Sequence, residues 1–152
     1  MKRPVTLRVG EGLIQTLWVG GLWTVGYIAA PSLFARLDDA RLAGSLAGGL
    51  FDIMAWISIA CGLLLLLAES GSGRPAGIRR LRRWLISGMM ACLALGVWGL
   101  RPWMQAARLA DGSPGENFAL LHGISAVLYL VASLSGILLV ASASYRVSPA
   151  AD

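Results

Sequence analysis

The last long apolar run of this chain, from Phe118 to about Ala143, constrains the fold more than any other stretch. It contains no Asp, Glu, Lys or Arg, and at about 1.5 Å of rise per residue a helix of this length crosses a hydrocarbon layer of about 30 Å. Helices in lipid gain little from the hydrophobic effect, so small and polar residues are the ones expected to meet other helices. Such residues fall on one side of this predicted span, at steps of three or four: His122, Ser125, Tyr129, Ser133 and Gly136.

Three further apolar runs precede it, and together the four predict an all-α integral membrane four-helix bundle. We place the spans at about 12–34, 46–68, 84–102 and 118–143, within one domain that covers residues 1–152. The composition agrees, because 57% of the residues are hydrophobic and only 14% are charged, whereas a soluble domain carries about 25% charged residues. The lipid bilayer is therefore the first partner expected.

Basic residues concentrate between the second and third spans, where five arginines lie between Arg74 and Arg83. Gly and Pro residues precede most of them, so segment 69–83 is predicted to be a loop. An excess of Lys and Arg marks the cytoplasmic side of a membrane protein, and the two ends of the chain carry the same excess. The orientation predicted is N-in/C-in, with both termini cytoplasmic, in a multi-pass protein of the cell inner membrane. This pattern favours a role in topology over nucleic-acid binding.

Glycines at four-residue steps predict the faces on which the helices pack. Small residues let two helix backbones approach closely. The same faces, on the second span especially, also suit association with another membrane protein or with a second copy of the chain. The helix-packing positions are Gly44 and Gly48 in the second span, Gly88 and Gly96 in the third, and Gly136 in the fourth.

The predicted orientation places polar residues from all four spans in one layer near the periplasmic face. Tyr27 lies in the outer half of the first span, and Asp52 lies early in the second. Arg101 ends the third span, and His122 lies in the first turn of the fourth. An ionised Asp at the bilayer centre costs on the order of 2.5–3.5 kcal/mol on insertion scales, less near the interface. Asp52 is therefore expected to have a partner, and Arg101 and His122 are available.

Two interpretations of this polar layer are open. In the functional one, Asp52, His122, Tyr27, Arg101 and Ser125 bind a ligand, with Asp52 and His122 as the candidate metal ligands. In the structural one, Asp52 pairs with Arg101, and His122 bonds a backbone carbonyl, which fixes the order of the helices. Zinc and copper sites usually have three or four ligands, which favours the structural interpretation.

Two smaller features also carry expectations. Glu11, one helical turn before Gln15, lies at the inner end of the first span, where it is expected to pair with interfacial arginines rather than to begin an ion path. Cys61 and Cys92 lie in different apolar runs. We expect them to pack as small apolar residues rather than to bind copper.

Enzyme signatures are missing from the sequence, which has no nucleophile beside a base, no phosphate loop and no dinucleotide fingerprint. We therefore expect a non-enzymatic membrane protein without a cofactor, which handles metal ions or small solutes through the polar layer. One alternative is a structural or assembly protein that associates through its glycine faces. A weaker alternative is a haem-binding protein in which His122 is the axial ligand.

Four blocks of the chain resemble the transmembrane protein 205 family, whose bacterial members carry a domain of unknown function, number 4149. They are WVGGLWTVGYIAAPSLF from Trp18, AGSLAGGLF from Ala43, GLRPWMQAARLAD from Gly99 and ENFALLHGISAVLYL from Glu116. The Leu-His-Gly-x-Ser and Arg-Pro blocks are the most specific. The resemblance implies a four-span fold and a role for the outer polar residues, without naming an activity. A more distant likeness, to copper-resistance D-like membrane proteins, implies a similar fold; their haem-handling relatives use several histidines, and this chain has one.

Overall fold

Four long helices make up most of the protein. The computed structural model describes residues 4–108 and 115–143. Residues 1–3, 109–114 and the predicted polar tail from 144 onward lie outside the described residues. The long helices are helix 1 (Val5–Arg36), helix 2 (Ala40–Ser70), helix 3 (Ala76–Ala106) and helix 4 (Phe118–Ala143), and each is long and apolar enough to cross a membrane. The predicted all-α, four-helix fold is confirmed.

The helices pack around an apolar core that extends along the bundle. Helix 3 makes its most extensive contacts with helix 4 and then with helix 2. The largest buried side chain is Trp18, whose indole Nε1 donates a hydrogen bond to Ser58 Oγ at 2.7 Å. Its polar atom is therefore satisfied inside the core. The core residues come from all four helices: Trp18, Leu22, Met54, Cys61, Leu65, Ile86, Met89, Leu93, Ala132 and Leu139.

The outward surface of the bundle is also apolar. Large hydrophobic side chains on every long helix are exposed. Soluble monomers rarely expose contiguous apolar patches of more than a few hundred Å², so this surface suits contact with lipid. The residues include Leu13, Leu17, Ile53, Trp56, Leu67, Trp84, Leu120 and Leu138.

Helices 1 and 3 each contain a π-helical turn, at Val25–Ala29 and at Leu95–Leu100. A proline, Pro31 or Pro102, follows each turn at the second residue of the α-helical segment that continues the helix. Proline has no amide hydrogen to donate to the preceding turn. The regular series of backbone hydrogen bonds is therefore interrupted where each π-helical turn lies. Helix 1 nevertheless continues beyond Pro31 to Arg36.

Helix 3 begins earlier than its apolar sequence suggests. Its α-helical part spans Ala76–Ala94, so the arginines at 79–83 lie on the first two turns of a helix and not in a loop. Gly73, with a φ of +61°, adopts the left-handed conformation in the turn before it, which glycine reaches without a steric penalty. Arginine is a good helix former, and the helix therefore extends beyond the apolar run.

Two of the predicted packing glycines lie where helices meet. A β-carbon added at Gly136 would be 3.1 Å from Val19 Cγ2 and 3.3 Å from Met89 Cε. Helices 1 and 3 therefore both approach helix 4 closely at this glycine. A β-carbon at Gly96 would be 3.5 Å from Ser125 Oγ, which is an ordinary contact.

The closest approach in helix 1 is at Gly26, where an added β-carbon would overlap the ring of Tyr129. The Tyr129 hydroxyl donates to the Leu22 carbonyl at 2.6 Å, and displacing the ring breaks this bond. We expect Gly26→Ala to lower the free energy of unfolding by about 1–3 kcal/mol, as overpacking does in other cores. Denaturation in detergent micelles, followed by circular dichroism, measures the change.

Gly20→Ala is the matched control, because Gly20 lies on the same helix with no described atom within 4 Å of its added β-carbon. Alanine favours a helix over glycine by about 1 kcal/mol, so this variant should be as stable as the native protein or slightly more so. Similar losses in the two variants would contradict the close packing of Tyr129 on Gly26.

Candidate functional site

Four charged side chains meet at the end of the bundle where helices 1 and 3 begin and helix 2 ends. We call Glu11, Glu69, Arg74 and Arg82 the charge cluster. Glu11 lies on helix 1, Glu69 on helix 2, Arg82 on helix 3 and Arg74 in the connection before helix 3. Glu69 and Arg82 are both 0% exposed. The cluster is therefore held inside the protein rather than on its surface.

Each arginine of the cluster bonds both carboxylates. Arg82 donates from Nε to Glu69 Oε1 at 2.6 Å and from Nη2 to Glu11 Oε1 at 2.7 Å. Arg74 donates from Nη1 to Glu69 Oε1 at 2.8 Å and from Nη2 to Glu11 Oε1 at 2.6 Å. Two acidic and two basic groups balance in charge. This balance matters, because an unpaired buried ion costs several kcal/mol.

Arg82 also bonds helix 4. Its Nη1 donates to the backbone carbonyl of Leu139 at 3.0 Å and to Ser142 Oγ at 2.7 Å. Together with its bonds to Glu11 and Glu69, these contacts join helices 1, 2 and 4 to helix 3 through one guanidinium group. Arginine suits this position, since it carries five N–H donors in a rigid planar fork.

One buried polar atom of the cluster has no hydrogen-bond partner among the described residues. Glu69 Oε2 is buried and accepts no hydrogen bond from any described residue. Both arginines bond the other oxygen of the same carboxylate, Oε1. An unsatisfied buried acceptor is destabilising by about 1–3 kcal/mol, and by more when the group is charged. A proton or a hydrogen-bond donor could therefore bind Glu69 Oε2 without displacing an existing hydrogen bond.

The ion pairs of Glu11 with Arg74 and Arg82 confirm its predicted pairing with the basic segment. Sequence reasoning did not single out Glu69, Arg74 or Arg82 as site residues. A signal for Arg82 was present, however, because Arg82, Ile86, Met89 and Leu93 recur at helical spacing and all four are buried. An arginine in register with the buried face of an apolar helix marks a buried charge.

The predicted polar layer lies at the opposite end of the bundle and contains one ion pair between helices 2 and 3. Arg101 Nη1 pairs with Asp52 Oδ1 and also donates to the Gly48 carbonyl at 3.1 Å. The Arg101 and Asp52 side chains are 26% and 43% exposed, so this pair is far less enclosed than the charge cluster. The pairing is the one that the structural interpretation of the layer predicted.

The other predicted ligand residues lie apart from this pair. The His122 ring is exposed and stacks on the Phe118 ring, with centroids 5.9 Å apart and an interplanar angle of 7°. The Tyr27 ring packs against Trp23 and Tyr129, with centroid distances of 5.0 and 6.1 Å. Ser125 faces Gly96. Across residues 4–108 and 115–143, no hydrogen bond or ion pair links Tyr27, His122 or Ser125 to Asp52.

Metal-binding geometry is not found in the part of the chain that the structure describes, where no three His, Cys, Asp or Glu residues are grouped to hold an ion. The thiols of Cys61 and Cys92 are free. Cys61 belongs to the apolar core, and Cys92 packs against it, which confirms the prediction that both behave as small apolar residues.

Two of the predicted packing glycines of helix 2, Gly44 and Gly48, lie beside arginine side chains. A β-carbon at Gly48 would lie 2.6 Å from Arg101 Nη2, and one at Gly44 would lie 3.7 Å from Arg108 Nη2. These two positions are therefore covered from within the chain. On helix 3, by contrast, a β-carbon at Gly88 would meet no described atom within 4 Å, so its face is open.

The fold and the site define a class of membrane protein. Four helices are long enough to cross a membrane, and buried ion pairs join them at one end of the bundle. A family defined by a domain of unknown function (DUF4149) matches residues 13–113. The chain belongs to this family. The matched segment contains Glu69, Arg74 and Arg82 of the charge cluster, together with Asp52 and Arg101. No curated protein and no solved structure matches the chain.

Loss of Arg82 should destabilise the bundle far more than loss of its neighbour Arg83. Removing one partner of a buried ion pair leaves a buried uncompensated charge, so we expect Arg82→Gln to lower the free energy of unfolding by about 3–5 kcal/mol. Arg83 is exposed, and Arg83→Gln removes the same charge from the same helix with an expected change within about 0.5 kcal/mol. Chemical denaturation in micelles compares the two variants, and equal effects would rule out the proposed role of Arg82.

Proposed function

We propose that this protein is a non-enzymatic membrane protein that handles a small solute or ion, and that it binds a proton at Glu69. The observation that carries the proposal is the buried oxygen Glu69 Oε2, which has no hydrogen-bond donor among the described residues. Ionisable groups buried at membrane depth commonly mark ion pathways and proton relays. The missing enzyme signatures support a role in binding or transfer rather than in covalent catalysis.

Proton binding at Glu69 would be linked to helix packing. The proton converts the carboxylate to a neutral acid, so the charge cluster changes from balanced to net positive. The bonds from Arg74 and Arg82 to Glu69 are then charge-assisted by the arginines alone, so they become weaker. Helix 2 becomes less firmly held to helix 3 and to the connection before it. A ligand that changes the relative stability of two arrangements shifts the population between them.

We propose that the charge cluster lies at the cytoplasmic side of a bacterial inner membrane, with both termini on that side. The exposed arginines at the start of helix 3 support this orientation through the excess of basic residues on cytoplasmic segments. The half-exposed Asp52 at the opposite end is then the candidate contact for a solute arriving from the periplasm. His122, which stacks on Phe118, is not needed in this scheme.

We also propose that the chain is a relative of the transmembrane protein 205 family. The Arg101-Pro102 pair and the Leu121-His122-Gly123 block support this assignment. Arg101 is the residue that pairs with Asp52, so the first motif includes a side chain that joins two helices. The likeness to copper-resistance D-like proteins extends to the proposed helical fold and not to metal or haem binding.

Infrared difference spectroscopy tests the proton site. The protein is reconstituted in liposomes, and the carbonyl stretch of protonated carboxyl groups is followed as the pH is lowered. With the proton on Oε2, the carbonyl oxygen Oε1 still accepts the bonds from Arg74 and Arg82, so this acid should absorb at a lower frequency than a carboxyl group without such donors. We expect such a band in the native protein and in Asp52→Asn, and its loss in Glu69→Gln. Glu69→Gln mimics the neutral acid and retains a carbonyl oxygen to accept the arginine bonds.

Two outcomes would contradict proton binding at Glu69. One is a band that survives in Glu69→Gln. The other is the absence of the band in the native protein throughout the pH range in which the protein stays folded. Glu116→Gln is the control for surface carboxylates, because Glu116 is exposed. It should leave the Glu69 band unchanged.

The open face around Gly88 favours a second candidate function, assembly with another membrane protein or with a second copy. Ser87, Gly88 and Ala91 are exposed on helix 3, and small residues permit close packing of helices in lipid. We expect Gly88→Leu to shift an assembled form towards the monomer in analytical ultracentrifugation. Gly44→Leu is the comparison, since Gly44 is covered by Arg108 within the chain. A sedimentation profile that Gly88→Leu leaves unchanged would remove this candidate.

A further inference from the structure

The arginines at the start of helix 3 are divided between two faces. Arg82 points into the charge cluster, whereas Arg79, Arg80 and Arg83 point away from it into a separate cavity. This cavity is an open depression along one face of helix 3, with a volume of about 380 Å³. Its other lining residues continue the same helical face, at steps of three or four from the arginines: Ala76, Trp84 and Ser87.

The three guanidinium groups of this cavity have no acidic partner among the described residues. Arg74 and Arg82, in the same stretch of sequence, each bond two carboxylates. By contrast, no ion pair or side-chain hydrogen bond within residues 4–108 and 115–143 engages Arg79, Arg80 or Arg83. Three like charges around one cavity repel one another, and an anion placed among them would relieve that repulsion.

The backbone adds to the positive potential of the cavity. Helix 3 starts at Ala76, and its N-cap residue, Pro75, makes no side-chain hydrogen bond to the first turn. The first amides of a helix have no intrahelical acceptor, and they attract anions, phosphates above all. Ala76 itself lines the cavity. The start of the helix therefore borders the volume that the three arginines line.

The apolar side of the cavity indicates that the bound anion is the headgroup of a lipid rather than a soluble phosphate. Trp84, which lines the cavity, is 73% exposed. Tryptophan is enriched at the level of lipid headgroups. A ligand that contacts both the arginines and Trp84 needs an anionic head and hydrocarbon chains. Basic pockets at the headgroup level of a membrane protein suit such lipids.

We propose that this cavity binds the phosphate headgroup of an anionic membrane phospholipid. Arg79, Arg80 and Arg83 contact the phosphate oxygens, and Trp84 packs beside the upper part of an acyl chain. The site is independent of the proton proposed at Glu69, because it uses none of the residues of the charge cluster. It takes its lipid from the leaflet that faces the start of helix 3.

Native mass spectrometry of the detergent-purified protein tests the site. Phosphatidylglycerol is the anionic probe, and phosphatidylcholine, which has no net charge, is its control. We expect one phosphatidylglycerol to bind with at least about 10-fold higher affinity than phosphatidylcholine, which corresponds to about one charge-assisted hydrogen bond. Inorganic phosphate at the same concentration should not displace the lipid, because it lacks the apolar contact with Trp84.

The decisive variant replaces Arg79, Arg80 and Arg83 together by lysine. Lysine preserves the charge and the topology signal, but it cannot form the two-pronged contact that arginine makes with a phosphate. We expect the preference for phosphatidylglycerol to fall about 10-fold or more. Arg8→Lys is the control, because Arg8 is exposed at the same end of the bundle and lines no part of the cavity; it should bind like the native protein. Circular dichroism verifies that each variant is folded.

Three outcomes would overturn the proposal. An unchanged affinity in the triple lysine variant would show that the arginines do not recognise the headgroup. Equal binding of the two lipids would indicate ordinary solvation by lipid. Displacement of phosphatidylglycerol by inorganic phosphate would indicate a site for soluble phosphate instead.

Discussion

The guanidinium group of Arg82 contacts three other helices, and the arrangement of this end of the bundle depends on it. Arg82 is fully buried and donates to Glu11, to Glu69 and to the carbonyl of Leu139. A buried cation of this kind is tolerated because Glu11 and Glu69 bond it, and Arg74 balances the negative charge that remains. The geometry also fixes how far each helix slides along its neighbours, since all the donors belong to one rigid plane. Apolar packing alone, which is not directional, would specify this level less sharply.

Two kinds of feature could be predicted from the sequence: those set by the length of a single segment, and those that follow from the cost of a single unpaired charge. Run length located the four long helices, and the cost of an isolated carboxylate anticipated the Asp52 and Arg101 pair. The burial of Arg82 is not predicted, because the Gly and Pro residues around the arginine run indicate a loop, in which no helical face separates one arginine from the next. The meeting of Glu69 with Arg74 and Arg82 was less accessible still, because it depends on where helix 2 ends relative to helix 3. No spacing within a single helix records that relation.

The arginine run illustrates how one stretch of sequence serves two environments. Around a helix, neighbouring residues point about 100° apart, so Arg82 and Arg83 differ completely in burial. One is enclosed by acidic groups, and the other faces an open cavity with two further arginines. Counting basic residues in a connecting segment captures the orientation signal in both. It does not distinguish a cation that holds helices together from one that is available to a ligand.

The π-helical turns of helices 1 and 3 have a consequence for comparing sequences in this family. A π turn accommodates one residue more than an α turn, which offsets all later side chains by about 100° around the axis. The segments Ala30–Arg36 and Arg101–Ala106 therefore follow a different phase from the residues before each turn. A single helical wheel drawn over either helix assigns the wrong face to one of its ends. Relatives that lack the additional residue would align with a one-residue gap at these turns, while keeping the same buried side at both ends.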